Sequence, residues 1–433
     1  MNNLRINVYE ALKRRLNIIF SEFDNVYVSF SGGKDSGLLL ELTLQYMREH
    51  GITRKIGVMH QDFEAQYTAT TDYVTRVMLG NSDLIEPFWL CLPMAVDTSA
   101  SAMEQYWYPW QRGKEDIWVR PMPDYPCVIK LDNHQFDFYQ ENMHQADIYK
   151  HFGAWYHAHC GGKGKTIGLV GIRAQESLNR WRAITQDKHT HRNLSWTTHN
   201  PDGTYTAHPL YDWQFEDVWA ANAKFGFDYN KIYDLMYYAG VNPAQMRVAS
   251  PFSGPALPAL NLYRVLEPLV WAKLIGRVNG ANFAALYAGT KALGWKHIEL
   301  PEGHTWQSFV EFLLATLPEK IADNYRAKFA TSIKFWKERG GVLSKETIKE
   351  LRQMGIKCTV SRTPSNYKTD KMPVRFNTYP DDAPVHDFMF VPSYKRMAVT
   401  ILKNDHTCKY MGFSQTKAQN EKRKKALEEY AKL

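Results

Sequence analysis

The sequence predicts an α/β fold, a doubly wound parallel sheet, joined to a mainly helical C-terminal domain. Two observations carry the first part. Short β-branched and aromatic runs alternate with segments of helical periodicity, the pattern of strands linked by crossover helices. A glycine-containing turn, SGGKDS, stands between the first such run and a helical segment, where open α/β sheets place their ligands. The second part rests on a change after about Pro251, where helical segments follow one another without strands. At 433 residues the chain is two to three times the ~150-residue prior for one domain. Two domains are expected, 1–250 and 251–433.

Taken in order, a helix is expected from Val8 to about Ser21, leading into the strand VYVSF. After SGGKDS, the segment LLLELTLQYMREH reads as a helix closed by Gly51, which suits the left-handed position past a helix end. Ile56 to His60 gives a second strand and Glu64 to Leu79 a second helix. FWLCLP (88–93) and TIGLVGI (166–172) continue the alternation. Between them, about 99–160, lies an insertion rich in Trp, Tyr, Pro and His that includes YWYPWQRGKEDIWVRP. Beyond it come the helical segments LYRVLEPLVWAKLIGRV, TWQSFVEFLLATLP and AKFATSIKFWKERG. TPSNYKTDKMP reads as a surface loop, and KAQNEKRKKALEEYAKL as a terminal helix with six Lys or Arg against three Glu.

Composition narrows the function classes. Hydrophobic residues at 44% and charged residues at 23% are those of a folded globular protein and exclude a disordered or collagen-like chain. No run approaches the ~18 apolar residues that cross a bilayer, and no secretory leader is evident at the N-terminus. Five scattered cysteines do not make a disulfide framework, so a reducing, cytoplasmic compartment is expected. The net charge of +8 permits DNA or another polyanion as partner; the oligomeric state is not legible.

The chemistry concentrates in SGGKDS. Ser31, Gly32 and Gly33 form a loop without bulky side chains, so backbone N–H groups can converge on an anion. A helix beginning near Asp35 adds its positive dipole end. Lys34 supplies a point charge for phosphate, Ser31 and Ser36 supply hydroxyl donors, and Asp35 can help to hold magnesium. HCGGKGKT at 159–166 imitates a Walker loop, but His159 stands at its first glycine and the segment precedes a strand. HAHC at 157–160, with Cys127, His134, His144 and His151, has the residue types of a zinc site or of a polar surface.

SGGKDS after a strand resembles the PP-loop of the ATP pyrophosphatases, and more narrowly the phosphoadenosine phosphosulfate (PAPS) reductase-like branch. MHQDFEAQY, GIRAQESLNR and PLYDWQFEDVW resemble later segments of that branch. From YNKIYDLMYYAGV through MRVASPF to the end, the chain is similar to a bacterial subfamily with a C-terminal domain of unknown function. That subfamily includes immunoglobulin-binding regulator A, which works beside a ParB-like partner. The resemblance implies ATP and magnesium at Ser31, Gly32, Gly33, Lys34, Asp35, Ser36 and Asp62, the metal being held by Asp35 and Asp62. It brings Arg173 to phosphate or substrate, with Glu176 and Arg180 beside it. Lys34, Asp35, Asp62 and Arg173 are the expected catalytic set. Arg120 and Arg247 are further candidates for anion binding, and Asp62 and Glu64 for a general base.

The reductases of this branch need a thiol in a Glu-Cys-Gly-Leu-His context, and relatives with iron–sulfur centres need clustered cysteines. This chain has neither, so no iron–sulfur cluster is expected. The resemblance then implies cleavage of ATP between its α- and β-phosphates, adenylylation of an unknown acceptor and release of pyrophosphate, with a ParB-like partner. The alternatives are a nucleotide-sensing regulator of a protein or DNA partner, and a PAPS reductase with a displaced cysteine.

Overall fold

The computed structural model describes residues 6–176, 180, 181, 184, 189–243, 246–254, 256–282, 284, 298, 300–361 and 371–413. These form two compact units, one of 6–96 with 106–277 and one of 97–105 with 278–413.

The first unit is built on a seven-stranded sheet. Its strands are β1 Asn25–Ser29, β2 Ile56–Gln61, β3 Ile85–Leu90, β4 Val128–Ile129, β5 Thr166–Val170, β6 Thr197–His199 and β7 Tyr205–Ala207. The spatial order is β4-β3-β2-β1-β5-β7-β6. Every neighbouring pair is parallel except β6 with β7. Val28 at the centre pairs with Val58 on one side and Leu169 on the other. The chain steps outward from β1 to β4, then returns to lay β5 on the opposite side of β1. The carboxyl ends of β1 and β5 therefore flank the point where the strand order reverses, the usual ligand position of such sheets.

Four helices belong to the strands that matter here: α1 Val8–Glu22, α2 Lys34–Glu49, α3 Thr68–Gly80 and α4 Gln145–His159. Asn7 starts α1 by accepting the Glu10 N–H at 2.8 Å. Gly51, with φ +62°, follows the end of α2 in the left-handed conformation that glycine adopts without strain. Leu12, Leu16 and Ile19 of α1, Leu39 and Leu42 of α2, and Val28, Val58, Ile167 and Leu169 of the strands share one buried core. Each such side chain contributes ~1.5–3 kcal/mol through its removal from water.

Several elements depart from the sequence reading. The aromatic insertion supplies a strand, β4, and the helix α4 that returns the chain to β5. The second helix starts at Thr68 instead of Glu64, because Asp62 Oδ1 accepts the Glu64 N–H at 2.8 Å and Glu64 turns the chain at φ +62°. LYRVLEPLVWAKL breaks into Leu262–Leu266 and Pro268–Leu274, since Pro268 has no N–H to continue a helix. The units part after Arg277, later than the composition change near Pro251. Tyr263 belongs to the first unit, stacked on Tyr67 at 3.8 Å between ring centroids.

The second unit corrects the expectation of helices without strands. Gly341–Leu343 (β8), Thr359–Val360 (β9) and Met372–Arg375 (β10) make an antiparallel sheet of order β8-β10-β9. Strands of two to four residues, one containing Pro373, carry too little periodicity to read. The helices Trp306–Ala315, Glu319–Glu338 and Tyr394–Leu402 pack Trp306, Phe309, Tyr325, Phe329 and Met397 into a separate core. The basic terminal segment and residues 363–370 of TPSNYKTDKMP lie outside the described residues. Among the described residues no helix is long and apolar enough to cross a membrane.

Candidate functional site

The turn from β1 into α2 is held by its own hydroxyls. Ser36 Oγ donates to Gly33 O at 3.2 Å and accepts the Ser31 N–H at 3.2 Å. Ser31 Oγ lies 3.0 Å from Ser36 Oγ. Gly32 has φ +75°, a conformation that strains any side chain, and a Cβ there would stand a tight 3.0 Å from Val74 and 3.2 Å from Thr70. Asn230, wholly buried, donates through Nδ2 to Gly32 O and to Thr70 Oγ1, each at 2.9 Å. Because α2 begins at Lys34, its first N–H groups and the positive end of its dipole sit in this turn.

The segment after β5 closes on the same turn. A Cβ at Gly171 would stand 2.9 Å from the carbonyl carbon and oxygen of Asp35, so the strand end and the helix start meet only because this residue is glycine. Arg173, 3% exposed, donates through Nε to Asp35 Oδ1 at 2.6 Å and through Nη1 to Gln175 Oε1 at 3.2 Å. Lys34 Nζ lies 3.0 Å from Asp35 Oδ2. Glu176 accepts the Arg173 N–H at 3.3 Å and pairs with the Arg180 guanidinium. The structure thus gathers Ser31–Ser36, Arg173, Glu176 and Arg180 at the reversal point. Lys34, Arg173 and Arg180 exceed Asp35 and Glu176 by one positive charge, an arrangement suited to an anion.

Asp62 and Arg120 form a different cluster at the end of β2. Both Asp62 oxygens face Arg120 Nη2, at 2.6 and 2.5 Å, and Oδ2 also accepts the Trp89 indole N–H at 2.7 Å. Complete burial works to raise the Asp62 pKa, but Arg120, His60 and the indole outweigh it and hold the carboxyl below its ordinary range. Glu64, also fully buried, takes Arg277 Nε and Nη2 at 2.9 and 3.1 Å and the N–H groups of Trp110 and Val119 at 2.7 and 2.8 Å. Two donors on each oxygen hold the Glu64 carboxylate in the framework of the fold, which tells against its reading as a base. Among the described residues no hydrogen bond or ion pair joins this cluster to the turn. Arg247 is exposed.

The zinc reading is also corrected. His144 caps α4 by accepting the Ala146 N–H at 3.2 Å, His157 Nδ1 lies 2.9 Å from Thr166 Oγ1, and His159 Nε2 lies 2.9 Å from Glu86. The described residues hold no group of three or more His, Cys, Asp or Glu that could hold a metal ion. All five cysteines are free thiols. Burial pushes every one of them up, Cys408 to about 12 and Cys91 well above the ordinary thiol value, so none is primed as a thiolate nucleophile.

Two site residues escaped the sequence reading as individuals. Asn230 and Tyr233 lie in YNKIYDLMYYAGV, yet nothing in that segment says that the Lys34 N–H donates to Tyr233 Oη at 3.0 Å.

An Escherichia coli (strain K12) protein named "Uncharacterized protein YbdN" is 33% identical over 426 residues, which span 97% of this chain and 94% of that protein. The chain belongs to the YbdN family. Within this YbdN-family chain, residues 240–422 match a family described as a domain of unknown function, DUF3440. Among solved structures, a Candida glabrata FMN adenylyltransferase shares 14% identity over 52% of this chain and 57% of its own length, less than two thirds, with a TM-score of 0.31. A PAPS reductase from Candida auris in its phosphate complex shares 15% identity over 54% of this chain and 87% of its own, with a TM-score of 0.29.

Proposed function

We propose that the chain binds ATP at Ser31–Ser36 and cleaves it between the α- and β-phosphates, adenylylating an acceptor and releasing pyrophosphate. The observation that carries this reading is the meeting of the SGGKDS turn with Arg173 at the reversal point of the sheet, with a surplus positive charge. An oxygen of the acceptor attacks the α-phosphorus, the bond to the bridging oxygen breaks, and negative charge gathers on the departing pyrophosphate. Lys34, the first N–H groups of α2 and Arg173 neutralise that charge where it develops. Magnesium would supply further neutralisation. Lys34 and Arg173 already flank Asp35, and Arg120 and Trp89 occupy Asp62, so the metal fits here mainly as a passenger on phosphate oxygens.

A second reading is favoured by one observation. The two carboxylates named as candidates to take the acceptor's proton, Asp62 and Glu64, are saturated with hydrogen bonds. A protein that binds ATP and signals its presence, through a ParB-like partner or DNA, needs no such base. Pyrophosphate release from radiolabelled ATP, measured with and without a ParB-like protein and DNA, separates the two. Sustained release supports the enzyme. Tight ATP binding without release supports the sensor, and no binding at all refutes both.

A further inference from the structure

We propose that the Tyr233 hydroxyl holds the place of a phosphate oxygen in the Ser31–Ser36 turn, so that a phosphate ligand enters by displacing it. This rests on the reading of the turn as a phosphate site and adds a gate to it. The first N–H of a helix has no partner within the helix, and when buried it needs an acceptor from elsewhere. At α2 that N–H belongs to Lys34, and its acceptor is Tyr233 Oη at 3.0 Å. A Cβ on Gly33 would stand 3.3 Å from the same oxygen, so the phenol lies directly over the glycine backbone that an anion would have to approach.

The occupant is a neutral oxygen. Burial raises the phenol's pKa well above its ordinary value, so it stays protonated. Hydrogen bonds to a charged oxygen are roughly twice as strong as those to a neutral one. A phosphate oxygen reaching the Lys34 amide therefore exchanges a weaker acceptor for a stronger one. The ring stays close to Lys34, whose Nζ is 5.5 Å from its centroid. Asn230, three residues earlier, keeps its grip on Gly32 O, giving the movement a fixed pivot. Tyr233 lies on the short helix Ile232–Tyr238, whose outward side chains include Tyr237 and Tyr238, 64% and 84% exposed.

Tyr233→Phe keeps the ring and removes only the oxygen. Isothermal calorimetry with magnesium ATP, and separately with inorganic pyrophosphate, should show the variant binding about two- to tenfold more tightly than the parent, the worth of one neutral hydrogen bond. Hydrogen exchange without ligand should show the Lys34 amide opening faster in the variant and protected again by pyrophosphate. Affinity equal to or weaker than the parent's overturns the gate while leaving the phosphate site intact. Absence of binding in parent and variant alike overturns the phosphate site itself, and the gate with it. If the variant shows a changed circular dichroism spectrum, Tyr233→Leu replaces it, with the same gain expected and the same result overturning it.

Discussion

Two neighbouring strands of one sheet end in clusters of the same residue types, yet the clusters are built for opposite purposes. Beyond β1, Asp35 is shared between Lys34 and Arg173, leaving positive charge over and first-turn amides at a helix start. Beyond β2, Asp62 with Arg120 and Glu64 with Arg277 cancel charge for charge inside the protein. The first arrangement still has something to offer an anion. The second fills each of its carboxylate oxygens with two donors already present. Acidic residues near a glycine turn are therefore not equivalent candidates for chemistry, and what separates them is how many of their hydrogen-bonding positions the fold has filled.

The contrast breaks most visibly at Glu64. Glu64→Ala strands Arg277 and two backbone N–H groups in the interior, and an uncompensated buried charge costs ~3–5 kcal/mol. Urea unfolding should show that loss, while a variant of equal stability to the parent would make the cluster dispensable. At the β1 end the expected damage is to binding. Lys34→Ala and Arg173→Ala should each lose about ten- to hundredfold in ATP affinity or turnover, with the circular dichroism spectrum unchanged. Arg173→Lys should recover only part, because an ammonium cannot copy the guanidinium's paired geometry. Effects within twofold for both Ala variants would put the site elsewhere.

Acid sharpens the comparison further. The folded Asp62 carboxyl is held below its ordinary range, so its stabilisation is complete above the unfolded value of ~3.9 and is lost as pH falls through the lower, folded value. Urea midpoints of the parent should fall below pH ~4. Asp62→Asn should be weaker at neutral pH and flatter in that acid window. Equal slopes in the two proteins would remove Asp62 from the account. The smallest effect is expected from the cysteines. With all five replaced by Ala, nucleotide turnover should stay within about twofold, and loss on changing Cys358 or Cys408 alone would revive thiol chemistry.

Local signals were legible in the sequence because they are local. SGGKDS follows a hydrophobic run and opens a helix, and GIRAQE follows another run, so strand order alone brings both to one edge. The partners of the charged residues were not legible, since each lies far along the chain. Arg120 is 58 residues from Asp62 and Arg277 is 213 from Glu64. No periodicity links such positions, and a lone Arg in an aromatic stretch reads equally well as an anion binder. The insertion misled for a related reason. Val128–Ile129 is too short to announce itself as a strand, yet it sets the edge of the sheet.

The hydrogen bond from the Lys34 amide to Tyr233 spans 199 residues, and that interval has a meaning in time. A ribosome adding about 5–20 residues per second takes roughly 10–40 s to pass from one residue to the other. Throughout that interval the turn after β1 has left the ribosome or is leaving it, and its phenol does not yet exist. The first acceptor the amide meets is water. Each molecule of this protein is therefore born with the turn open, and acquires its own occupant only when more than half of the chain has been made.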